Sequence, residues 1–200
     1  MTTATRRWAK TDATQQRILD AATEVFAARG YTAATMADIV DHSRASIGSI
    51  YHHFGGKREL FLAIFERLTS DIDRYIDEAA DAYRGASRQR AFEANARAYL
   101  NAIWAYRRAA VVLASGDTPA GFDAIRRGDI QRGFHRWMSV LELDTSPRGQ
   151  LLMRLLIDVM TEASAMVMMC ENADDVGPIT DATIECLRRL TRRPRPPFRR

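Results

Sequence analysis

Thr35-Met36-Ala37-Asp38-Ile39-Val40, then Ser43-Arg44-Ala45-Ser46, then Ile47-Gly48-Ser49-Ile50-Tyr51-His52-His53-Phe54-Gly55-Gly56-Lys57 is the stretch that decides the fold. Thr35 and Asp38, three apart, have the spacing of a capping box, in which hydroxyl and carboxylate each satisfy an orphan amide at a helix start. A short helix therefore opens at Met36. Ser46 offers a second cap, so a second short helix opens at Ile47 after a tight turn. Gly55-Gly56 breaks that helix and Lys57 opens a third, where free amides and the helix dipole favour an anion and the lysine adds a full charge.

The second short helix has an odd composition. Gly48 and Ser49 are poor helix formers set side by side, and their small side chains leave the backbone open to close approach. Ile50 and Phe54, four apart, turn inward together, while Ile47, Ser49, Tyr51 and His52 spread over the remaining faces. A helix with one apolar stripe and a small, hydroxylated, aromatic outer face suits the major groove of DNA. Hydroxyls reach base edges or phosphates there, and a tyrosine hydroxyl reaches the backbone.

The run Ile47 to Lys57, ending in Glu59-Leu60, resembles the recognition helix and following turn of the TetR family of transcriptional regulators. Ile18-Leu19-Asp20-Ala21-Ala22 through Phe26, then Arg29-Gly30-Tyr31 and Thr35, is similar to that family's first helix and its exit. Together these cover roughly the first 65 residues. The resemblance implies an all-α protein of about nine helices, a three-helix helix-turn-helix head followed by a larger helical body that binds an effector and dimerises. One departure is Arg44, which stands where the family usually places glycine in the turn; a left-handed backbone there costs a side-chain-bearing residue about 1 kcal/mol. Residues expected on DNA are Thr35, Arg44, Ser46, Ile47, Gly48, Ser49, Tyr51, His52 and Lys57, with Thr35, Tyr51 and Lys57 on phosphates.

Working outward, residues 1–12 show no helical period and read as a flexible basic arm, its Arg6, Arg7 and Lys10 either solvated or on DNA. From about Ala13 to Arg29 the apolar positions Ile18, Ala22, Val25 and Phe26 form one helical face, and Gly30 terminates it. Residues 13–56 make the DNA-binding head. Residues 57–191 make the body, and its first part, 57–83, is one long linking helix with Leu60, Ile64, Leu68, Ile72 and Ile76 at a spacing of four. Gly85-Ala86-Ser87 ends it. Helices follow over about 88–108 and 109–114, a short one from Phe122 and another through Ile130 to Leu141, with loops at 115–119 and 144–147. Residues 192–200 read as a disordered Arg/Pro tail.

The segment from Gln150 to about Asn172 is apolar nearly all round, and Ile179 to Leu190 is amphipathic. Two such neighbours suggest a subunit seam, and in the resembled family the last two helices form one. The DNA reading needs a homodimer, because two heads 34 to 36 Å apart read successive major grooves of a palindromic site. Tyr99, Ile103, Trp104, Trp137, Met138 and Met160 are either ordinary core or the lining of a cavity for a small hydrophobic or aromatic effector.

The chain is 200 residues, 46% hydrophobic and 27% charged, with a formal net charge of +4. Seven arginines and no acid fall in residues 188–200, so the rest of the chain is slightly acidic. No apolar run reaches membrane-helix length and no signal core opens the chain, so a cytoplasmic protein is expected. Cys170 and Cys186 have neither metal-ligand nor framework spacing. No Gly-x-Ser-x-Gly, paired-histidine metal motif or phosphate loop organises chemistry, so neither an enzyme nor a cofactor is expected. The sequence points to a repressor released from its operator by the effector, or to a helical DNA-binding protein without one.

Overall fold

In the computed structural model the backbone is described for residues 3–192, and the side chains for residues 13–136 and 139–192. The described residues form nine α-helices and no strand: α1 (Thr3–Ala33), α2 (Met36–Ser43), α3 (Ile47–Phe54), α4 (Lys57–Ala82), α5 (Arg88–Ala105), α6 (Arg107–Ala114), α7 (Phe122–Met138), α8 (Pro147–Met168) and α9 (Val176–Thr191). Two single 3-10 turns, Ser139–Leu141 and Ala173–Asp175, lie within the last two connections. No helix among the described residues is long and apolar enough to cross a membrane.

Packing sorts the chain into two units. The head joins the residues up to Asp71 with Tyr106–Arg126, and the body joins Ile72–Ala105 with the residues from Arg127 on. This differs from the divide expected at residue 57. The start of α4 buries Leu60, Phe61 and Ile64 completely, and the Phe61 ring lies edge-on to Phe122, 5.0 Å between centroids. A ring 61 residues downstream thereby belongs to the head, a pairing that no local pattern announces.

The head is built on α1. Ile18, Leu19, Ala22, Val25 and Phe26 are buried on one face, joined by Ile39 from α2 and Ile50 from α3, both fully enclosed. Burying side chains of this size stabilises by about 2 kcal/mol each, enough to hold two eight-residue helices that would not persist alone. Gly30, at φ 77° and ψ 165°, breaks α1 as expected, leaving one further turn before Thr35. At its other end the helix runs from Thr3, so most of the stretch expected as an arm is helical. Ala, Arg and Lys are half of residues 3–12 and favour helix without an apolar period, which is why the pattern missed it.

The body packs α5 against α8 and α9. Phe92, Ala96 and Leu100 of α5 meet Leu156, Met160, Ala163 and Val167 of α8 and Ile184 and Leu187 of α9 in one core. Polar contacts run along the α5–α9 edge: Thr191 to Gln89, Arg188 to Glu93, Arg97 to Asp181. Partner numbers fall on one helix as they rise on the other, so the two run antiparallel. α7 is a single helix where two were expected, because Gly128 and Gly133 sit inside it without ending it. The Arg/Pro tail lies outside the described residues from position 193 on.

Candidate nucleic-acid interface

α2 starts on the capping box. The Asp38 amide donates to Thr35 Oγ1 at 3.2 Å, and the Thr35 amide donates to Asp38 Oδ2 at 2.9 Å. The Thr35 hydroxyl also donates to that carboxylate at 2.7 Å, so its proton is committed within the head. These bonds from Thr35 hold the Asp38 carboxyl below the usual range, and the nearby Arg29 guanidinium adds to the effect. The Thr35 hydroxyl therefore has no proton left to donate to a phosphate while this bond stands.

The turn is tight. Arg44 caps α2 in the left-handed region at φ 54°, its amide donating to the Val40 carbonyl at 2.9 Å. Its side chain is exposed. Replacing Arg44 with glycine removes the steric cost and is expected to raise the stability of the head by about 1 kcal/mol in a urea titration. Salt-dependent binding to duplex DNA should meanwhile lose about one unit of slope if the guanidinium lies on a phosphate.

Ser46 caps α3 by accepting from the Ser49 amide at 3.1 Å, which leaves its own hydroxyl proton free to donate outward. Along α3, Ile50 is sealed in the core, while Ile47 and Tyr51 are 47% and 50% exposed. Gly48 and His52 are exposed and Ser49 half-buried. A Cβ at Gly48 would meet nothing within 4 Å, so no contact inside the chain calls for glycine there. His53 turns back, its ring nitrogen 3.5 Å from Gln15 Nε2. Gly55, at φ 92°, closes the helix.

Lys57 is the expected contact that the structure places elsewhere. Its ammonium donates to the carbonyls of Tyr31 at 2.6 Å, Ala34 at 2.7 Å and Thr32 at 3.2 Å, and sits 4.5 Å above the Tyr31 ring. Three donors meet three acceptors, so nothing remains for a phosphate. The carbonyls are those that Gly30 releases from α1. Burial first, then the Glu59 charge, push the Tyr31 phenol up.

Of the residues expected to line an effector cavity, Met160 is fully buried, Ile103 nearly so, and Tyr99 and Trp104 partly, all in the body core. The Tyr99 ring packs 5.3 Å from Phe134, and its hydroxyl lies 3.3 Å from Ser164 Oγ, which donates to the Met160 carbonyl at 2.6 Å. Burial raises the Tyr99 phenol above its ordinary value, with Ser164 opposing. The side chains of Trp137 and Met138 lie outside the described residues. Sequence reasoning missed an open cleft of about 510 Å³ among α4, α5 and α9, which includes Tyr83, Arg90, Arg97 and Arg188. Arg188 is spent on Glu93 and Glu185, and Arg97 on Asp181.

Residues 18–64 match the family of bacterial regulatory proteins called tetR. This stretch, and not the rest of the chain, carries the family likeness. Over 56 residues the chain is 43% identical to the HTH-type transcriptional regulator SrpR of Pseudomonas putida, covering 28% of this chain and 26% of that protein. It is 41% identical over 61 residues to the HTH-type transcriptional activator FasR of Mycolicibacterium smegmatis, covering 30% and 28%. These matches thus span about a quarter of the relatives' length and sit in the head. Across nearly the whole chain the fold is that of a transcriptional regulator from Aquifex aeolicus, with a TM-score of 0.71 at 20% identity over 88% of this chain and 99% of that one. At that identity the likeness is one of fold.

Proposed function

We propose that this protein is a homodimeric transcriptional repressor that lays α3 of each protomer in the major groove of a palindromic operator and leaves it when a small hydrophobic or aromatic molecule binds the body. The observation that carries the DNA contact is the outer face of α3, where Gly48 is exposed and unconstrained beside Tyr51 and the free hydroxyl of Ser46. Glycine is a poorer helix former than alanine, so an exposed glycine in the first turn of α3 is accounted for by a surface that must come close to the backbone. DNA-facing residues in this reading are Arg44, Ser46, Ile47, Gly48, Ser49, Tyr51 and His52, with Thr35 at the edge.

The test uses the full chain against a pool of random duplexes. A palindromic sequence should be enriched, with half-sites about 10 base pairs apart. Gly48→Ala is then expected to melt at a higher temperature yet bind that operator roughly tenfold more weakly, the two effects having opposite sign because one is felt in the free protein and the other only in the complex. Equal operator binding by the alanine variant would remove α3 from the groove.

Dimerisation is assigned to α8 and α9. The effector is assigned to the core around Tyr99, Ile103, Trp104 and Met160, where one polar pair, Tyr99 and Ser164, could orient a ligand otherwise held by apolar surface. A second reading, a DNA-binding protein without an effector, is favoured by the packing of those four residues in one core. Titrating small hydrophobic molecules into the operator complex separates the two.

A further inference from the structure

The connector between α1 and α2 sets where the two short helices sit, and two charged side chains grip it. Gly30 turns the chain out of α1, which frees the carbonyls of Tyr31, Thr32 and Ala34 and the amide of Thr32 from the helical ladder. Lys57 takes the carbonyls. Asp117 takes Thr32: both carboxylate oxygens accept from the Thr32 amide, at 3.1 and 3.2 Å, and Oδ1 also accepts from the Thr32 hydroxyl. A side chain at Gly30 would run into the same carboxylate, so glycine is required there both for its φ and for the room Asp117 needs. The bonds from Thr32 hold the Asp117 carboxyl below its ordinary value, with the Lys57 charge helping.

Lys57 stands 23 to 26 residues from its carbonyls and follows α3 directly, whereas Asp117 comes from the loop after α6, 85 residues from Thr32. That loop is anchored in the head at both ends. Arg108 of α6 pairs with Glu24 of α1, and the Phe122 ring packs edge-on against Phe61 and Phe65, 5.0 and 5.2 Å between centroids. Yet the stretch enters from the body after Ala105 and returns to it after Arg126.

We propose that Asp117 is a positioning residue for DNA recognition: its carboxylate fixes the α1–α2 connector and with it α2 and α3, and residues 106–126 give the body a second covalent route to the DNA-reading helices beside α4. The inference rests on the DNA-binding reading and deepens it. Asp117 touches no DNA in this scheme. It narrows the orientations of α3, so its loss lowers specific binding while the contacts to phosphates, which any duplex supplies, persist.

The experiment takes the operator enriched by the wild-type chain and a random duplex of equal length, and measures affinity for both with full-length wild type, Asp117→Asn, Thr32→Val and the double variant, each checked for a wild-type helical spectrum. Asp117→Asn is expected to bind the operator about fivefold or more weakly, a coupling effect of ordinary size, with affinity for the random duplex unchanged. The double variant should bind no worse than Asp117→Asn, since both changes break one latch. Operator affinity within twofold of wild type, equal losses on both duplexes, or additive losses in the double variant would overturn the latch. A wild-type protein that enriches no duplex would overturn the DNA-binding reading itself, a separate failure.

Discussion

Replacing Leu155 with glutamate is expected to turn a dimer into a monomer and to cost roughly hundredfold in operator affinity at nanomolar protein. α8 buries Leu156, Met160, Ala163 and Val167 inward, yet its outer face leaves Leu151 58%, Leu155 41% and Met166 49% exposed, and Met169 follows at 84%. These lie along one side, interrupted by the exposed Asp158 and Glu162, and exposed large apolar side chains gathered on one side mark a surface that another surface covers. In a two-fold dimer each substitution enters the seam twice, so one glutamate adds two carboxylates to a face that already carries the exposed Asp158 and Glu162, and repulsion between like charges is added to the cost of desolvating them. The chain itself should be indifferent: glutamate is a good helix former, and the position is open to solvent within one protomer. Sedimentation at micromolar concentration should therefore show a wild-type dimer and a folded monomeric variant. Operator binding falls because one head reads only a half-site, whereas affinity for a single half-site duplex should hold. A variant that remains dimeric moves the seam off this face of α8.

What the sequence made visible was local. Thr35 and Asp38 are three residues apart, as are Ser46 and Ser49, and both caps formed as the spacing implies. Gly30 and Gly55 end their helices at positive φ. Of the inward pair on α3, Ile50 is fully buried and Phe54 half-buried, and the outward Ile47 and Tyr51 are open. What stayed hidden depended on contacts far along the chain. Nothing near Lys57 reveals that its amine reaches carbonyls 23 to 26 residues upstream, because those acceptors exist only once Gly30 has broken α1. Nothing near Asp117 reveals Thr32. The loop signal of Ser115-Gly116-Asp117-Thr118-Pro119 gave the loop and not its partner. Phe122 and Ile130 read as belonging to two separate helices, yet α7 runs through Gly128 and Gly133 as one, since the tertiary setting outweighs a propensity penalty of about 1 kcal/mol per glycine. Cys186 illustrates the same limit: expected within a buried seam, it is exposed on the single chain, where a partner surface would have to cover it.

Replacing Lys57 with methionine separates two roles that the sequence alone could not. Methionine keeps an apolar stem of similar length and removes only the ammonium. If Lys57 clamps the end of α1, three carbonyls lose their donor and the Tyr31 ring loses its cation, so the head should be destabilised by about 2 kcal/mol, the scale of hydrogen bonds to a charged group. A urea titration followed in the head should move to a lower midpoint. Operator affinity should fall with it, because a loosened connector costs α2 and α3 their placement, but the dependence of affinity on salt should keep its slope, since no phosphate partner is lost. A lysine on a phosphate gives the opposite pattern: unchanged stability and a slope smaller by about one unit. The distances favour the first outcome. An ammonium with its three protons already on carbonyls would have to give up at least one of them to reach DNA, exchanging a held bond for a new one with little net gain.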